Sequence, residues 1–512
     1  MADRLSWLDR RKIDALIAVR RSNARSIEHR ARTTFRRPRT PDPARPEIVG
    51  ARAHYDSDEL PERLKVPAAI PDSAALGWRY TLPYYYLTGA AFKVLHAFPL
   101  DPGPAWTPDL WFNDAFPPNA EGWGDAMGDA GFVDMRIQGA NPFLLTRDPT
   151  DKARFVVDYG PLFAGIAPAV RCVLRLGDGG LSAEAIHGGD DVLTPGAPGW
   201  RRAKRLANGL DARYDVFGRH LLYTHLVVGQ AYALSTYTLP VDHPARPFLE
   251  LFTYGTLEVN DWAFKLLISP SSYFLRSRFI GAADVHRLFD NSMDAFDLDA
   301  LIVPADIRRR GIAAIPDHPF VEDAPQAWAI FDDFVRAWAA RHWPDDDAVR
   351  GDGALQTWFA RLAELLPGKD ITDGPLDGVD GLVTVLCCLL QLQVEHEICG
   401  DFSVYAAGAD PEHKKVIHFD RLLGREADAP PSAADVFLFQ QGAFAARFHN
   451  GGNNMLGLDL ETHVADRWLR RCAGDLQSAL KSLDGRLEAR NARRRRPFLR
   501  LMPRFWEMSI SF

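Results

Sequence analysis

Residues 217–228 read FGRHLLYTHLVV, an apolar run that carries two histidines, His220 and His225, five positions apart. Such a run is typical of a buried helix, which seldom holds two imidazoles. On a regular α-helix, with about 3.6 residues per turn, side chains five apart diverge by about 140°. The two histidines can share a face only if an extra residue is looped into the helix, as in a π-bulge, a feature found mostly at functional sites. The spacing therefore predicts either two unrelated histidines or a strained helix built around a metal.

A third histidine favours the metal. His396 closes the most apolar helical run of the chain, LCCLLQLQVEH. One histidine in such a run is usually a hydrogen-bonded core residue, but three histidines on two buried helices indicate a shared site. Imidazole nitrogen suits iron, zinc or copper, and the iron of oxygenases usually adds a carboxylate. Candidate carboxylates are those of Glu397 and Asp401, and the main-chain carboxylate of Phe512, which ends an apolar, uncharged MSISF.

Composition limits the classes of function. The chain has 512 residues, 47% of them hydrophobic, and a net charge of −7, which offers no general attraction to nucleic acid. Its five cysteines are few and odd in number, so we expect no disulfide framework and a reducing, cytoplasmic location. No stretch reaches the ~18 consecutive apolar residues of a membrane span. Residues 381–392 come closest and are typical of a fully buried helix.

Hydrophobic periodicity predicts a mainly α fold with a few short β-strands. Apolar residues recur at helical spacing in three long segments, residues 324–343, 354–366 and 465–483. Strand-like runs are short and occur at residues 153–159 and 170–176. We find no internal repeat and no Gly/Ser linker that would divide this part of the chain.

Two parts of unequal kind are therefore expected. Residues 1–60 form an Arg- and Pro-rich extension, and residues 61–512 form a single large helical domain. A solvated extension with one amphipathic helix is the simplest interpretation of the first part. An arm that docks on a membrane surface or on a partner protein is the alternative.

The order of the motifs resembles the lipoxygenase family. HLLYTH at 220–225 is followed by an HP dipeptide at His243 and by LEVN at 257–260, as in that family's histidine-rich segment. Further resemblances are GANPFLL, FVVDYGPLF, WPDDDAVRGDGALQTWF, RNARRRRPFLRLMP and the closing MSISF. Together they cover roughly residues 80–512. The resemblance implies a minimal form, bacterial in type, without the β-barrel that precedes the catalytic domain in plant and animal members.

The resemblance implies a non-heme iron dioxygenase with one iron per chain. Such an enzyme inserts O2 into the cis,cis-1,4-pentadiene of a polyunsaturated fatty acid and yields a hydroperoxide. The implied iron ligands are three imidazoles and the final main-chain carboxylate: His220, His225, His396 and Phe512. The residues that resemble the family's substrate channel are apolar, with ordinary core residues as the alternative interpretation: Ala263, Leu267, Ile268 and Phe274.

Three positions depart from the family pattern. Gly400 stands four residues after His396, where the family usually has a further ligand, and glycine has no donor side chain. Phe512 stands where Ile or Val is usual, and Phe252 replaces a histidine that is not an iron ligand in the family. Two alternatives therefore stay open. One is a divergent iron oxygenase or hydroperoxide isomerase acting on another apolar metabolite, and the other is a non-catalytic member that uses the fold for binding.

Overall fold

The described part of the chain is mainly α-helical, as the sequence predicts, with seven short β-strands. The structure is a computed structural model that describes residues 45–58, 60–74, 128–268, 281–368, 373–400 and 454–510. These ranges include the three histidines of the predicted metal site. Phe274 and Phe512, which were also predicted as site residues, lie outside the described residues.

Fourteen α-helices lie in the described ranges. The α-helices are α1 Ala51–His54, α2 Asp129–Gln138, α3 Trp200–Arg213, α4 Gln230–Ser235, α5 Ala245–Phe252, α6 Thr256–Ala263, α7 Ala282–Asp294, α8 Val303–Arg310, α9 Pro319–Ala339, α10 Asp346–Gly351, α11 Gly353–Leu365, α12 Val379–Cys399, α13 Leu460–His463 and α14 Arg467–Asn491. A long π-helix, Tyr214–Gly229, joins α3 to α4 without a break, and a short one, Phe264–Ile268, continues α6. The 3-10 turns are Asp72–Ala74, Thr236–Thr238, Leu298–Leu301, Ile312–Ala314, Leu499–Leu501 and Pro503–Phe505.

The three long helices expected from periodicity are present, with shifted ends. Helix α9 begins at Pro319, earlier than predicted, because proline suits the first turn of a helix, where its missing N–H is not needed. Helix α14 begins where the side chain of Asp466 accepts a hydrogen bond from the main-chain N–H of Leu469 at 2.6 Å. Helix α9 packs against both α12 and α14, so these three helices form the centre of the fold.

One small antiparallel sheet precedes the helical body. Its five strands lie in chain order, β3 Thr146–Arg147, β4 Arg154–Asp158, β5 Val170–Gly177, β6 Gly180–Gly188 and β7 Asp191–Leu193. In β5 the side chains of Val170, Cys172 and Leu174 are buried in the main core, while Arg171 and Arg175 are partly exposed. This alternation follows from the two-residue repeat of a strand. The two strands predicted at 153–159 and 170–176 are thereby confirmed.

A second, two-stranded pairing lies near the start of the described chain. Strand β1, Ile48–Gly50, pairs antiparallel with β2, Lys65–Pro67. Ala51, which follows β1, is fully buried in the main hydrophobic cluster. Residues 48–51 belong to the predicted extension 1–60, yet they are packed against the folded body. The preceding residues 1–44 lie outside the described residues.

Helix α12 is the apolar centre of the fold. By length and composition it is the one helix in the described ranges that could cross a membrane, and 94% of its most apolar window is buried inside the protein. It packs against α9 and the long π-helix. Extensive burial agrees with the core helix predicted at 381–392. All five cysteines, three of them on this helix, are buried, and none forms a disulfide.

Candidate metal centre

The long π-helix brings two of the predicted histidines together. A π-helix is hydrogen-bonded from residue i to residue i+5, so side chains five apart lie close above one another. The Nε2 atoms of His220 and His225 are 3.2 Å apart. Of the helix geometries that the spacing allowed, the structure has the π form, while the metal stays a prediction. Sixteen residues, rather than a single inserted one, adopt the π geometry.

Helix α12 brings the third histidine to the same place. The Nε2 atom of His396, close to the end of that helix, lies 2.9 Å from Nε2 of His225. The centroids of the three rings are 4.8 to 4.9 Å apart. One ring nitrogen of each histidine lies within 4.8 Å of the others. The three imidazoles therefore converge on one point, between two helices that are far apart in sequence.

Two of the three nitrogen separations fit a bound metal ion. Two nitrogens bound at about 2.1 Å and at right angles lie about 3.0 Å apart. The separations of 3.2 Å and 2.9 Å around Nε2 of His225 match this value. A neutral imidazole has a single N–H, so the two short distances from Nε2 of His225 cannot both be hydrogen bonds that this nitrogen donates. The donor set of three imidazoles suits iron, zinc or copper.

Asn260 on α6 sets the tautomer of His225. The Nδ2 group of Asn260 donates to the main-chain oxygen of His225 at 2.7 Å and to Oε1 of Gln230 at 3.0 Å. With its amide oriented by these two acceptors, Oδ1 of Asn260 accepts from Nδ1 of His225 at 3.1 Å. The lone pair of His225 is thus on Nε2, which faces the other two histidines, an arrangement common among metal-binding histidines.

Burial keeps His225 neutral. It lowers the pKa of His225 well below its ordinary value, and the neighbouring His396 lowers that pKa further, against the hydrogen bond with Asn260. A neutral imidazole is the form that binds a metal, because protonation removes the lone pair. At neutral pH the buried ring is therefore ready to coordinate.

A buried ion pair ties the two histidine-bearing helices together. The guanidinium of Arg219, one residue before His220, pairs with the carboxylate of Glu395, one residue before His396. Arg219 also lies over the ring of Tyr223, 3.9 Å from its centroid. Burial opposes the charge on Arg219, but the adjacent carboxylate outweighs it and the pKa of the guanidinium is raised. The pair holds adjacent points of the π-helix and α12 at a fixed distance.

A second buried network fixes the start of the π-helix. Asp211, in the last turn of α3, accepts from the hydroxyl of Tyr159 at 2.8 Å and pairs with Arg136 at 3.3 Å. The side-chain amide of Asn141 donates to the main-chain oxygen of Asp211 at 2.8 Å. Asn141 belongs to GANPFLL and Tyr159 to FVVDYGPLF, two of the family-like segments. Their role here is structural, since they anchor the helix that leads into the histidines.

The structure describes only some of the predicted channel residues. Ala263 is buried and follows Asn260 by three residues on α6, which puts both on neighbouring points of one helix face. Ile268 is buried in the main core, and Leu267 precedes it in the short π-helix Phe264–Ile268. Phe274 lies outside the described residues. Whether these side chains contact a substrate stays a prediction.

The last described residues lie beside the long π-helix. Ser509 donates its hydroxyl to the main-chain oxygen of Tyr254 at 2.8 Å, and Ile510 is buried. The Cδ1 atom of Ile510 is 3.1 Å from the position that a Cβ on Gly229, the final residue of the π-helix, would take. Phe512 itself lies outside the described residues, so its assignment as an iron ligand stays a prediction.

Two further sequence features are structural. His243 was interpreted as a structural residue, and its Nε2 atom lies 3.0 Å from Oδ2 of Asp352, which also accepts from the indole of Trp343 at 2.9 Å. Phe252, where the family has a histidine, is buried against the ring of Phe248. Neither residue belongs to the histidine cluster.

Sequence analysis missed three residues that support the site. Asn260 stood in the quoted LEVN, and the available signal was a polar amide within an apolar helical segment. Arg219 and Glu395 each precede a predicted ligand. A charged residue inside a buried run suggests a partner of opposite sign, but only the structure joins these two across 176 positions.

Comparison with known proteins shows that the histidine cluster lies in a segment that matches a known family. The profile of the family described as Lipoxygenase matches residues 192–407, which contain all three histidines. A polyunsaturated fatty acid lipoxygenase from Homo sapiens, ALOX15B, is 32% identical over 164 residues, which make up 32% of this chain and 24% of that protein. The hydroperoxide isomerase ALOXE3 of Homo sapiens is 24% identical over 328 residues, 61% of this chain and 45% of that protein.

Solved structures extend the similarity over almost the whole chain. The structure of a calcium-dependent 11R-lipoxygenase superposes with a TM-score of 0.75 at 16% identity, over 96% of this chain and 80% of that one. At this identity the likeness shows the fold alone. In sequence, the match spans about a quarter to under half of the length of these curated relatives.

Proposed function

Because the chain belongs to the lipoxygenase family, we propose that it is a non-heme iron dioxygenase that inserts O2 into the cis,cis-1,4-pentadiene of a polyunsaturated fatty acid to give a hydroperoxide. The observation that carries the proposal is the convergence of His220, His225 and His396 within the segment that the family profile matches. The name of the relative ALOX15B supports the class of substrate.

In this proposal the protein's own residues hold and shield a redox-active iron. Bound iron supplies the one-electron chemistry that a closed-shell zinc ion lacks. His220, His225 and His396 hold it through neutral nitrogens, and Asn260 keeps Nε2 of His225 free to bind. We assign the anionic donor to the main-chain carboxylate of Phe512, and the burial of the nearby Ile510 supports this.

An apolar channel is the second requirement of the reaction. A carbon-centred radical must be kept from water and from polar side chains until O2 reaches it, and a closed apolar site prevents such side reactions. We assign this role to a stretch that follows Asn260 along the chain, the residues Ala263, Leu267, Ile268 and Phe274. The burial of Ala263 and Ile268 supports the assignment.

A hydroperoxide isomerase is the second candidate function. The match to the isomerase ALOXE3 covers 61% of the chain, whereas the match to ALOX15B covers 32%. Gly400 adds to this, because it leaves the iron with one side-chain donor fewer than the family usually provides. Fewer protein donors change the electronic properties of the metal and hence the reactions it favours.

One pair of assays separates the two candidates. Purified protein is loaded with Fe2+, its iron content is measured, and O2 uptake is followed with linoleate and with arachidonate while conjugated-diene absorbance is recorded. The dioxygenase is expected to consume O2 while the conjugated-diene absorbance of its hydroperoxide product rises. An isomerase is expected to consume an added fatty-acid hydroperoxide without O2 uptake. Stoichiometric iron with neither reaction would refute both candidate functions. A chain that cannot be loaded with iron would favour a binding role.

A further inference from the structure

Gly400 lies directly against one of the clustered histidines. It follows the last residue of α12, and its main-chain N–H donates to the oxygen of His396 at 2.7 Å. A Cβ built at this position would lie 2.8 Å from Nε2 and 2.9 Å from Cδ2 of His220, and 2.5 Å from the oxygen of His396. Real Cβ atoms essentially never come closer than 3.0 Å to such atoms.

The need for glycine here is steric and does not come from a positive φ. The φ of Gly400 is −85°, a value open to every residue. What a side chain would lack is space, because the main-chain oxygen of His396 and the ring of His220 both lie within 3.0 Å of the place that its first carbon would take. The atom in closest ring contact is Nε2, the nitrogen that faces the cluster.

We propose that Gly400 is a positioning residue that fixes the composition of the metal site. By leaving room for the imidazole of His220, it admits three histidine side chains and excludes a fourth side-chain donor from the end of α12. A side chain at position 400 and the observed place of His220 are mutually exclusive. The inference rests on the proposed function only in that the cluster binds a metal, and it holds for an oxygenase and for an isomerase alike.

Metal affinity gives the first test. Binding of Co2+ and of Fe2+ is titrated for the wild type, Gly400→Ala, Gly400→Asn and the control Gly474→Ala, whose added Cβ would meet nothing within 4 Å. Displacing a ligand-supporting group typically weakens metal binding by roughly 10–100-fold. We expect a loss of this order for both substitutions of Gly400 and none for the control. Wild-type affinity in Gly400→Ala, or tighter binding in Gly400→Asn, would overturn the proposal.

A double-mutant cycle in metal-free protein gives the second test. The shift in urea midpoint caused by Gly400→Ala is measured in the wild type and in His220→Ala. If the ring of His220 is the obstacle, its removal should make the shift clearly smaller. An equal shift in both backgrounds would mean that only the oxygen of His396 is in the way, and the proposal would be wrong.

The two tests are independent of the proposed reaction. A wild-type protein that binds Co2+ but consumes neither O2 nor hydroperoxide would refute the proposed function and leave the role of Gly400 intact. A chain that oxidises fatty acid while Gly400→Ala behaves as the wild type would do the reverse. The urea cycle needs no metal, so it decides the steric question in either case.

Discussion

The long π-helix and α12 carry the same cluster by different means. The π-helix holds two histidines five positions apart and abandons α geometry over sixteen residues to bring them together. Helix α12 holds one histidine near its end and stays α-helical over its 21 residues. A single ligand needs only a position and a rotamer. Two ligands on one segment require that the periodicity of the helix match their spacing, and here the sequence spacing of five requires the π form.

The two helices also differ in what supports them. His225 on the π-helix is held by an amide from a third element, Asn260 of α6. His396 on α12 is neighboured by Glu395, whose carboxylate reaches back to Arg219 on the π-helix itself. The helix with the less favourable backbone thus receives support from both sides. We infer that the π-helix is the element whose geometry is most easily lost, and the following changes test this difference.

Removal of His225 should have the largest effect. His225→Ala takes away the central nitrogen of the cluster, so iron content should fall to background and O2 uptake should vanish. The loss should exceed the roughly 10–100-fold that supporting residues cost. Elemental analysis of the purified variant checks this. The control is His243→Ala, which removes a histidine that pairs with Asp352 and does not belong to the cluster. This variant should keep its iron. Iron at the wild-type level in His225→Ala would remove this residue from the site.

Breaking the ion pair between the helices should come next. Glu395→Ala leaves the guanidinium of Arg219 buried without its partner, and such a loss costs about 3–5 kcal/mol in the free energy of unfolding. Urea denaturation measures it. Asp332→Ala, at the partly exposed pair of Asp332 with Arg336, should cost no more than about 1 kcal/mol.

The pair can also be tested for coupling. The double variant Arg219→Ala/Glu395→Ala should cost clearly less than the two single variants together, because each single variant strands one charge. Additive costs would show that the two residues stabilise the helices separately. The ion pair would then not act as a link between the two helices.

Removal of Asn260 should have an intermediate effect confined to the metal. Asn260→Ala frees the ring of His225 to turn and to change tautomer, which should weaken metal binding by roughly 10–100-fold. Titration with Co2+ measures it. Asn491→Ala is a matched control, since Asn491 is a buried amide that donates to the main-chain oxygen of Phe498 at 3.2 Å, away from the cluster. Both variants should lose stability, but only Asn260→Ala should lose metal affinity; equal affinities would contradict its role.

The smallest effect is expected from a contact that lies past the end of the π-helix. Tyr232 on α4 donates its hydroxyl to the main-chain oxygen of Val385 on α12 at 2.7 Å. Tyr232→Phe should cost about 1 kcal/mol in the free energy of unfolding, the usual worth of one hydrogen bond, with iron content unchanged. Thermal unfolding at a fixed metal load checks this. Lost iron would mean that this contact also shapes the cluster.

Prediction of secondary structure from the sequence succeeded best for segments whose own residues decide their structure. Side-chain periodicity predicted the helices near 324–343 and 465–483 and the strands near 153–159 and 170–176. Their ends were less accurate, because a helix start depends on single residues, here Pro319 in the first turn of α9 and the cap Asp466 of α14. The spacing of His220 and His225 offered a departure from α geometry as one of two alternatives, since no regular α-helix aligns residues five apart.

Support for the site could not be read from the chain. The amide of Asn260 meets His225 across 35 positions, and Glu395 meets Arg219 across 176. Nothing local to either residue marks its partner, because a buried charge or amide requires only some partner and leaves open which one. Ala51, in the predicted extension, entered the core for a similar reason, through the pairing of β1 with β2.

By itself, the order of residues determined a mainly helical fold, a pair of histidines that can share a face only on a non-α helix, and a third histidine on the most apolar helix. These are properties of periodicity, which a single segment expresses alone. Tertiary structure decided which nitrogen of His225 faces the cluster, which charges neutralise each other, and that Gly400 must lack a side chain beside His220. Those outcomes depend on atoms brought within about 3 Å of each other from distant parts of the chain, where hydrogen bonding and steric exclusion act.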